Sequence, residues 1–178
     1  LNRLPYHNRP GGPRSGAAGD WAKILSDLIK TEKVRLILQR VRSASVTVAG
    51  EVAGEIGRGL LVFAGVERGD GPQQVRAAAE KLAGLRVFED AAGKMNLDLA
   101  AVGGAFLVVS QFTLAGSLAK GRRPSFDRAA PPEEARPLVE ALVEDLRGRG
   151  FRVETGRFRA AMEVALVNDG PVTLIADF

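Results

Sequence analysis

At 178 residues the chain is long enough for one domain with a full core, and its 46% hydrophobic and 26% charged content excludes disordered and fibrous classes. It has no cysteine, which excludes disulfides, thiol nucleophiles and cysteine metal sites. Of the net charge of +4, residues 1–33 supply +3, so any nucleic-acid contact made by the remainder has to come from a local patch and not from bulk charge.

The rare residues sharpen these exclusions. Tyr6, His7 and Trp21 are the sole representatives of their types, and all three lie at the front. From Val34 onward there is no His, Cys, Trp or Tyr. Chemistry in that part has no imidazole base and no Ser-His-Asp triad, and zinc would lack its usual nitrogen and sulfur ligands. No apolar run approaches the roughly 20 residues of a membrane span.

In chain order, residues 1–20 are rich in Pro, Gly, Asn and Arg and show no apolar period, which reads as disorder. Asp20 is placed to cap a short helix through Lys30, with Trp21, Ile24, Leu25 and Leu28 on one side. The segment lacks the apolar region and cleavage site of a secretory peptide. We read residues 1–33 as a disordered or non-native extension and 34–178 as the working domain.

Val34–Val41 reads as a strand, and Ser45–Val48 with Glu51–Ile56 as a hairpin around Ala49-Gly50. The continuous apolar run Gly59–Val66 predicts a central strand covered on both faces. Gly57-Arg58-Gly59 lacks the third glycine and the following helix of a nucleotide loop, and reads as a hairpin turn. Pro72 opens a predicted helix whose stripe is Val75, Ala78, Ala79, Leu82 and Leu85. Arg86–Phe88 is strand-like, and Asp90–Gly93 is a turn.

Ala105–Gln111 reads as a buried strand that exits into Ser110, Gln111, Phe112 and Thr113. Two hydroxyls and an amide at the end of a rigid strand suit a site, although Ser and Thr there also serve by capping the local backbone. Residues 115–128 are a loop by composition, holding Lys120, Arg122, Arg123 and Arg128 around Phe126. Cations beside an aromatic in a mobile loop suit RNA contact, and equally suit a solvated loop. Pro131-Pro132-Glu133-Glu134 opens the best helix, which continues through Ala135, Leu138, Val139, Leu142, Val143 and Leu146 to a stop at Gly148 or Gly150. Phe151–Glu154, Met162–Val167 and Val172–Ala176 read as strands, the last two flanking a turn at Asn168-Asp169-Gly170-Pro171. Many strands, mostly in hairpin order, with two long helices predict an α+β fold with a mainly antiparallel, curved or barrel-like sheet.

Two motifs, Ser110-Gln111-Phe112-Thr113-Leu114 and Asn168-Asp169-Gly170-Pro171-Val172-Thr173, come in that order with the basic loop between them. With Gln39-Arg40-Val41, Gly93-Lys94-Met95-Asn96 and Lys120–Phe126, they make residues 34–178 resemble the D-aminoacyl-tRNA deacylase (D-Tyr-tRNA deacylase) family. Val34 stands where that family's initiator Met sits, as a GTG start codon read through from upstream would leave it.

The resemblance implies an esterase that removes D-amino acids, and glycine mischarged on tRNA-Ala, from the 3′-terminal adenosine of tRNA while sparing the L form. It implies a cytoplasmic homodimer without cofactor or metal, with its sites at the interface. Ser110, Gln111, Phe112 and Thr113 would form the catalytic segment. Gly170 and Pro171, joined in the family by a cis bond, would reach from the partner as a carbonyl wall that clashes with an L side chain. Arg40 would steady that wall by a charge-assisted hydrogen bond, with Met162 packing nearby. Lys120, Arg122 and Arg123 would contact RNA. Thr113 has no adjacent base to activate it, so the ribose 2′-hydroxyl is expected to assist water while backbone N–H groups near 111–113 hold the oxyanion. A noncatalytic nucleic-acid module and a generic Ser/Thr hydrolase are the competing readings. The second lacks both a histidine base and a G-x-S-x-G motif.

Overall fold

The computed structural model describes residues 33–119 and 121–178; the predicted helix over 20–30 and Lys120 lie outside the described residues. The elements run β1 (Arg35–Val48), β2 (Glu51–Ile56), β3 (Gly59–Gly65), α1 (Pro72–Ala83), β4 (Phe88–Glu89), β5 (Met95–Leu97), β6 (Ala105–Ser110), a 3-10 turn (Phe112–Ala115), α2 (Pro132–Gly148), β7 (Arg152–Thr155) and β8 (Glu163–Asp177). The fold is α+β, with a strongly curved, nearly closed sheet and two helices.

The two strands expected at 34–41 and 45–48 are one strand, β1, whose buried face changes midway. Leu36, Leu38 and Arg40 are buried in its first half, and Val41, Ala44, Val46 and Val48 in its second. The change falls where pairing with β8 shifts register, with Arg42 as the extra residue on β1. A bulge that inserts one residue reverses which face the following side chains take. One strand thereby serves two cores. Leu36 and Leu38 pack with Val75, Leu82, Leu142 and Leu146 beneath the helices. Val41 and Val46 pack with Ile56, Leu61, Leu107 and Val109 inside the curved sheet.

Strands β3 and β6 divide their residues the same way. Leu60, Val62, Phe106 and Val108 face the helices, and Leu61, Leu107 and Val109 face the sheet interior. Burial on both faces explains why these strands read as unbroken apolar runs.

The sheet is mainly antiparallel, as expected: the β1 pairings and β4–β5 run antiparallel, and β3–β6 and β6–β7 are the parallel pairs among the described residues. A parallel pair needs a long crossover, and α1 and α2 are those crossovers. Two expectations change. First, Gly57-Arg58 is not a hairpin turn. Residues 51–56 and 59–65 pair in succession with one edge of β1 while β8 takes the other, so the glycine-rich step interrupts a continuing strand. Second, Asn168–Pro171 is not a turn between two strands. β8 runs on through it, and residues 169–172 bulge opposite the single residue Arg40.

Gly59 shows how tightly the parallel pair is built. A Cβ there would lie 2.0 Å from the Ala105 carbonyl oxygen. Gly59→Ala is therefore expected to lower stability by about 1–3 kcal/mol through forced separation of β3 and β6. Urea unfolding measures it, and a midpoint equal to wild type would contradict the packing described.

Helix α2 follows its sequence closely. Pro132 begins it, Glu133 and Glu134 complement its positive end, and Leu142, Val143 and Leu146 form the buried stripe. Pro137 is accommodated within the helix.

Candidate active site

β6 ends at the mouth of a cavity of about 610 Å³. Val109, Ser110, Gln111 and Phe112 form one wall. Phe126, Ala129 and Ala130 from the following loop, with Pro132 and Ala135 of α2, form a second. Phe158, Arg159, Ala160, Met162 and Val164 also line it.

The strand stops here because the chain turns sharply after Ser110. The Gln111 N–H donates to the Ala64 carbonyl at 2.8 Å, and Leu114 N–H then donates back to the Gln111 carbonyl at 3.2 Å. The resulting 3-10 turn leaves the N–H groups of Phe112 and Thr113 at its open end, where no carbonyl of the turn reaches them. The expected set of oxyanion donors narrows accordingly: Gln111 N–H is engaged in the sheet.

The side chains are as specific as the backbone. Gln111 Nε2 donates to Thr113 Oγ1. Thr113 is not among the residues lining the cavity, and its hydroxyl faces an amide donor and not a base. Phe112 is 56% exposed and stands edge-on to Phe126 at 5.1 Å between ring centres, joining two walls at the rim. Met162 is half-buried, packing with the core inside the curved sheet while lining the cavity.

The basic loop is better anchored than its composition implies. Ser117 and Ser125 form a two-way backbone bridge across its neck. Arg128 pairs at 2.5 Å with Glu67, which is buried, and Arg68 Nε donates to the Asp127 carbonyl at 3.1 Å. Phe126 is thereby turned inward to the cavity. Arg122 and Arg123 are exposed beyond the bridge and line no part of the cavity.

The second motif forms a separate cluster. Arg40 is only 4% exposed. Its Nε donates to the Asp169 carbonyl at 3.0 Å and its Nη1 to the Val87 carbonyl at 2.6 Å. Carboxylates of Asp169 and Glu89 lie 3.5 and 3.6 Å from its guanidinium. Across the bulge, Asn168 Oδ1 accepts from Val172 N–H at 3.0 Å, and Asn168 Nδ2 donates to Thr173 Oγ1 at 3.1 Å. Arg40 thus holds the bulge through Asp169, one residue before the expected pair. The Gly170–Pro171 peptide is cis, and both residues are exposed. Gly170 has φ of +128°, and a Cβ on it would lie 2.9 Å from Arg40 Nη2.

Within one chain, then, Ser110, Gln111, Phe112 and Met162 come together, and Arg40, Gly170 and Pro171 come together elsewhere. Reasoning from sequence missed Phe158 and Arg159, which precede β8 in a segment without periodicity. Arg159 has φ of +63°. Among the described residues no group of His, Cys, Asp and Glu is arranged to hold a metal.

Comparison with known proteins bears on this geometry. A family model described as D-Tyr-tRNA(Tyr) deacylase matches residues 37–177. A D-aminoacyl-tRNA deacylase of Anaeromyxobacter dehalogenans (strain 2CP-C) is 62% identical over 144 residues, covering 81% of this chain and 97% of the relative. One of Pelobacter propionicus is 57% identical over 144 residues, covering 81% and 99%. Of solved structures, the c-Myc DNA Unwinding Element Binding Protein superposes with a TM-score of 0.74 at 38% identity, covering 80% of this chain and 97% of that one. A probable eukaryotic D-amino acid tRNA deacylase superposes with a TM-score of 0.73 at 19% identity, covering 82% and 100%, a likeness of fold alone.

Proposed function

The chain belongs to the D-Tyr-tRNA(Tyr) deacylase family, and from that premise we propose that it hydrolyses the ester of D-aminoacyl-tRNA to free D-amino acid and tRNA. The observation that carries the reading is the delivery of Ser110, Gln111 and Phe112 by β6 to the mouth of a largely apolar cavity lined, among the described residues, by no His, Cys or acid. Such a lining suits an aminoacyl group and a ribose, and it leaves base chemistry to the substrate.

In this reading water attacks the ester carbonyl carbon. The carbonyl oxygen takes up negative charge and is held by the N–H groups of Phe112 and Thr113. The ribose 2′-hydroxyl accepts the water's proton as it passes its own toward the departing 3′-oxygen. The bond between that oxygen and the acyl carbon breaks, leaving free amino acid and a 2′,3′-diol on tRNA. Thr113 Oγ1, held by Gln111, orients the turn and takes no part as nucleophile.

The protein acts as a homodimer in this account, with residues 34–178 as the working domain in the cytoplasm. Val167, Leu174 and Ile175 on β8 are 53%, 39% and 71% exposed, and they flank the bulge at 169–172. Exposed apolar side chains on the strand that carries Gly170 and Pro171 support an interface there. Across it, Gly170 and Pro171 of one subunit face Ser110–Thr113 of the other, and their carbonyls exclude an L side chain. Glycine has no side chain to exclude, so glycyl-tRNA is also a substrate. Lys120, Arg122 and Arg123 contact the tRNA backbone.

Incubation with D-aminoacyl-tRNA tests the reading against a pure binding module, the alternative favoured by the description of one structural neighbour as a DNA-element binding protein. Hydrolysis is expected, with free D-amino acid and intact tRNA as products. Tight binding with the ester left intact would establish the module instead.

A further inference from the structure

Among the described residues Arg159 is the one charged residue lining the cavity, and it stands in a backbone conformation that an L side chain rarely adopts. Neither fact follows from packing. The residue is exposed, so no core contact requires it. Its guanidinium makes no hydrogen bond or ion pair among the described residues, unlike Arg40, Arg128 and Arg147, which are all engaged. Glycine would satisfy the same φ without steric cost. A residue kept in a costly conformation, at the rim of a cavity, with an unengaged cation, points to a ligand.

The surroundings narrow the ligand's chemistry. Phe158 carries the Arg136 guanidinium over its ring at 5.0 Å, so a second cation stands directly behind this wall. Among the described residues no carboxylate lines the cavity. The Ser110–Phe112 segment, where the ester is placed, lines the same cavity. A single cation in a largely apolar cavity that the same segment lines suits an anionic group a short distance from the reacting ester. On a charged tRNA that group is the phosphodiester joining the terminal adenosine to the nucleotide before it.

We propose that Arg159 is a substrate-positioning residue that pairs with this last phosphodiester and so sets the terminal adenosine in register with the 110–113 segment. The inference rests on the deacylase reading above. The guanidinium would offer two parallel donors to the phosphate oxygens, a geometry that a lysine cannot reproduce. It would act on the end of the strand, distinct from the 122–123 loop, which lines no part of the cavity.

Arg159→Gly provides an unusually clean test, because the substitution removes the cation while relieving the backbone. The variant is expected to unfold at the same or a higher urea concentration than wild type. On D-aminoacyl-tRNA its KM should rise about tenfold with kcat nearly unchanged, the loss of one charge-assisted contact. The slope of log(kcat/KM) against log salt should become shallower by about 0.7. Arg159→Lys should recover part of the loss. The decisive comparison uses two minimal substrates, D-aminoacyl adenosine and the D-aminoacyl ester of cytidylyl-adenosine, which differ by the phosphodiester. Wild type and Arg159→Gly should be equal on the first and differ on the second. An equal loss on both, or no loss on either, would overturn the assignment while wild-type activity on tRNA keeps the deacylase reading intact. Inactive wild type would instead remove the reading on which the inference stands.

Discussion

Arg40→Ala is expected to cost about 3–5 kcal/mol of folding stability, the range for removing one partner of a buried charged network. The side chain is 4% exposed and joins three segments that are far apart in sequence: β1, the 87–89 stretch, and the bulge at 169–172. Its loss leaves the carbonyls of Asp169 and Val87 without their donors, and the Asp169 carboxylate without one of its two cations. Arg42, 76% exposed at its side chain, pairs with the same carboxylate at 3.1 Å but is too solvated to substitute. The functional effect follows from the same contacts. In the proposed reading, releasing Asp169 also frees the carbonyls at 170 and 171, and exclusion of the L side chain is expected to weaken. Denaturant unfolding reads the first effect, and the ratio of D to L turnover reads the second. A variant within about 1 kcal/mol of wild type would show that the bulge is held by the Asn168 bonds alone.

The second large effect belongs to the substrate. Replacing the terminal adenosine of the charged tRNA with 2′-deoxyadenosine is expected to slow hydrolysis by about 10²–10³-fold, the usual scale for removing one group that acts in an acyl-transfer transition state. Thr113→Ala is expected to keep most of the activity, losing less than about tenfold through looser placement of the 3-10 turn. The contrast comes from the Thr113 hydroxyl accepting from Gln111 Nε2, with no base bonded to it among the described residues. Complete loss of turnover in Thr113→Ala with substrate binding intact would make that hydroxyl the nucleophile and remove the role given to the ribose.

How much of this was legible beforehand depended on whether a residue's role leaves a periodic trace. The apolar runs of β3 and β6 marked central strands, and the 3-and-4 spacings marked both helices, because burial acts on every turn or every second residue. Parallel pairing left no such trace, since a strand's own sequence does not record which way its neighbour runs. Asn168-Asp169-Gly170-Pro171 has the composition of a turn, yet it is a bulge, because β1 supplies an unbroken edge and Arg40 a buried anchor 129 positions away. Ser110–Phe112 could be found because polar groups broke an apolar strand. Arg159 could not, because sequence rules assign its conformation to glycine. The residues that hold Phe126 inward, Glu67 and Arg128, form a pair 61 positions apart whose meeting only the folded chain displays.

The central claim is a cavity that accepts either hand of amino acid chemically but only one sterically. Its most direct test is the ratio of kcat/KM for D- and L-forms of the same amino acid on the same tRNA, measured with the wild-type protein. The account predicts preference for the D form by about 100-fold or more, equivalent to roughly 2.7 kcal/mol of exclusion. Equal rates on the two forms would contradict it.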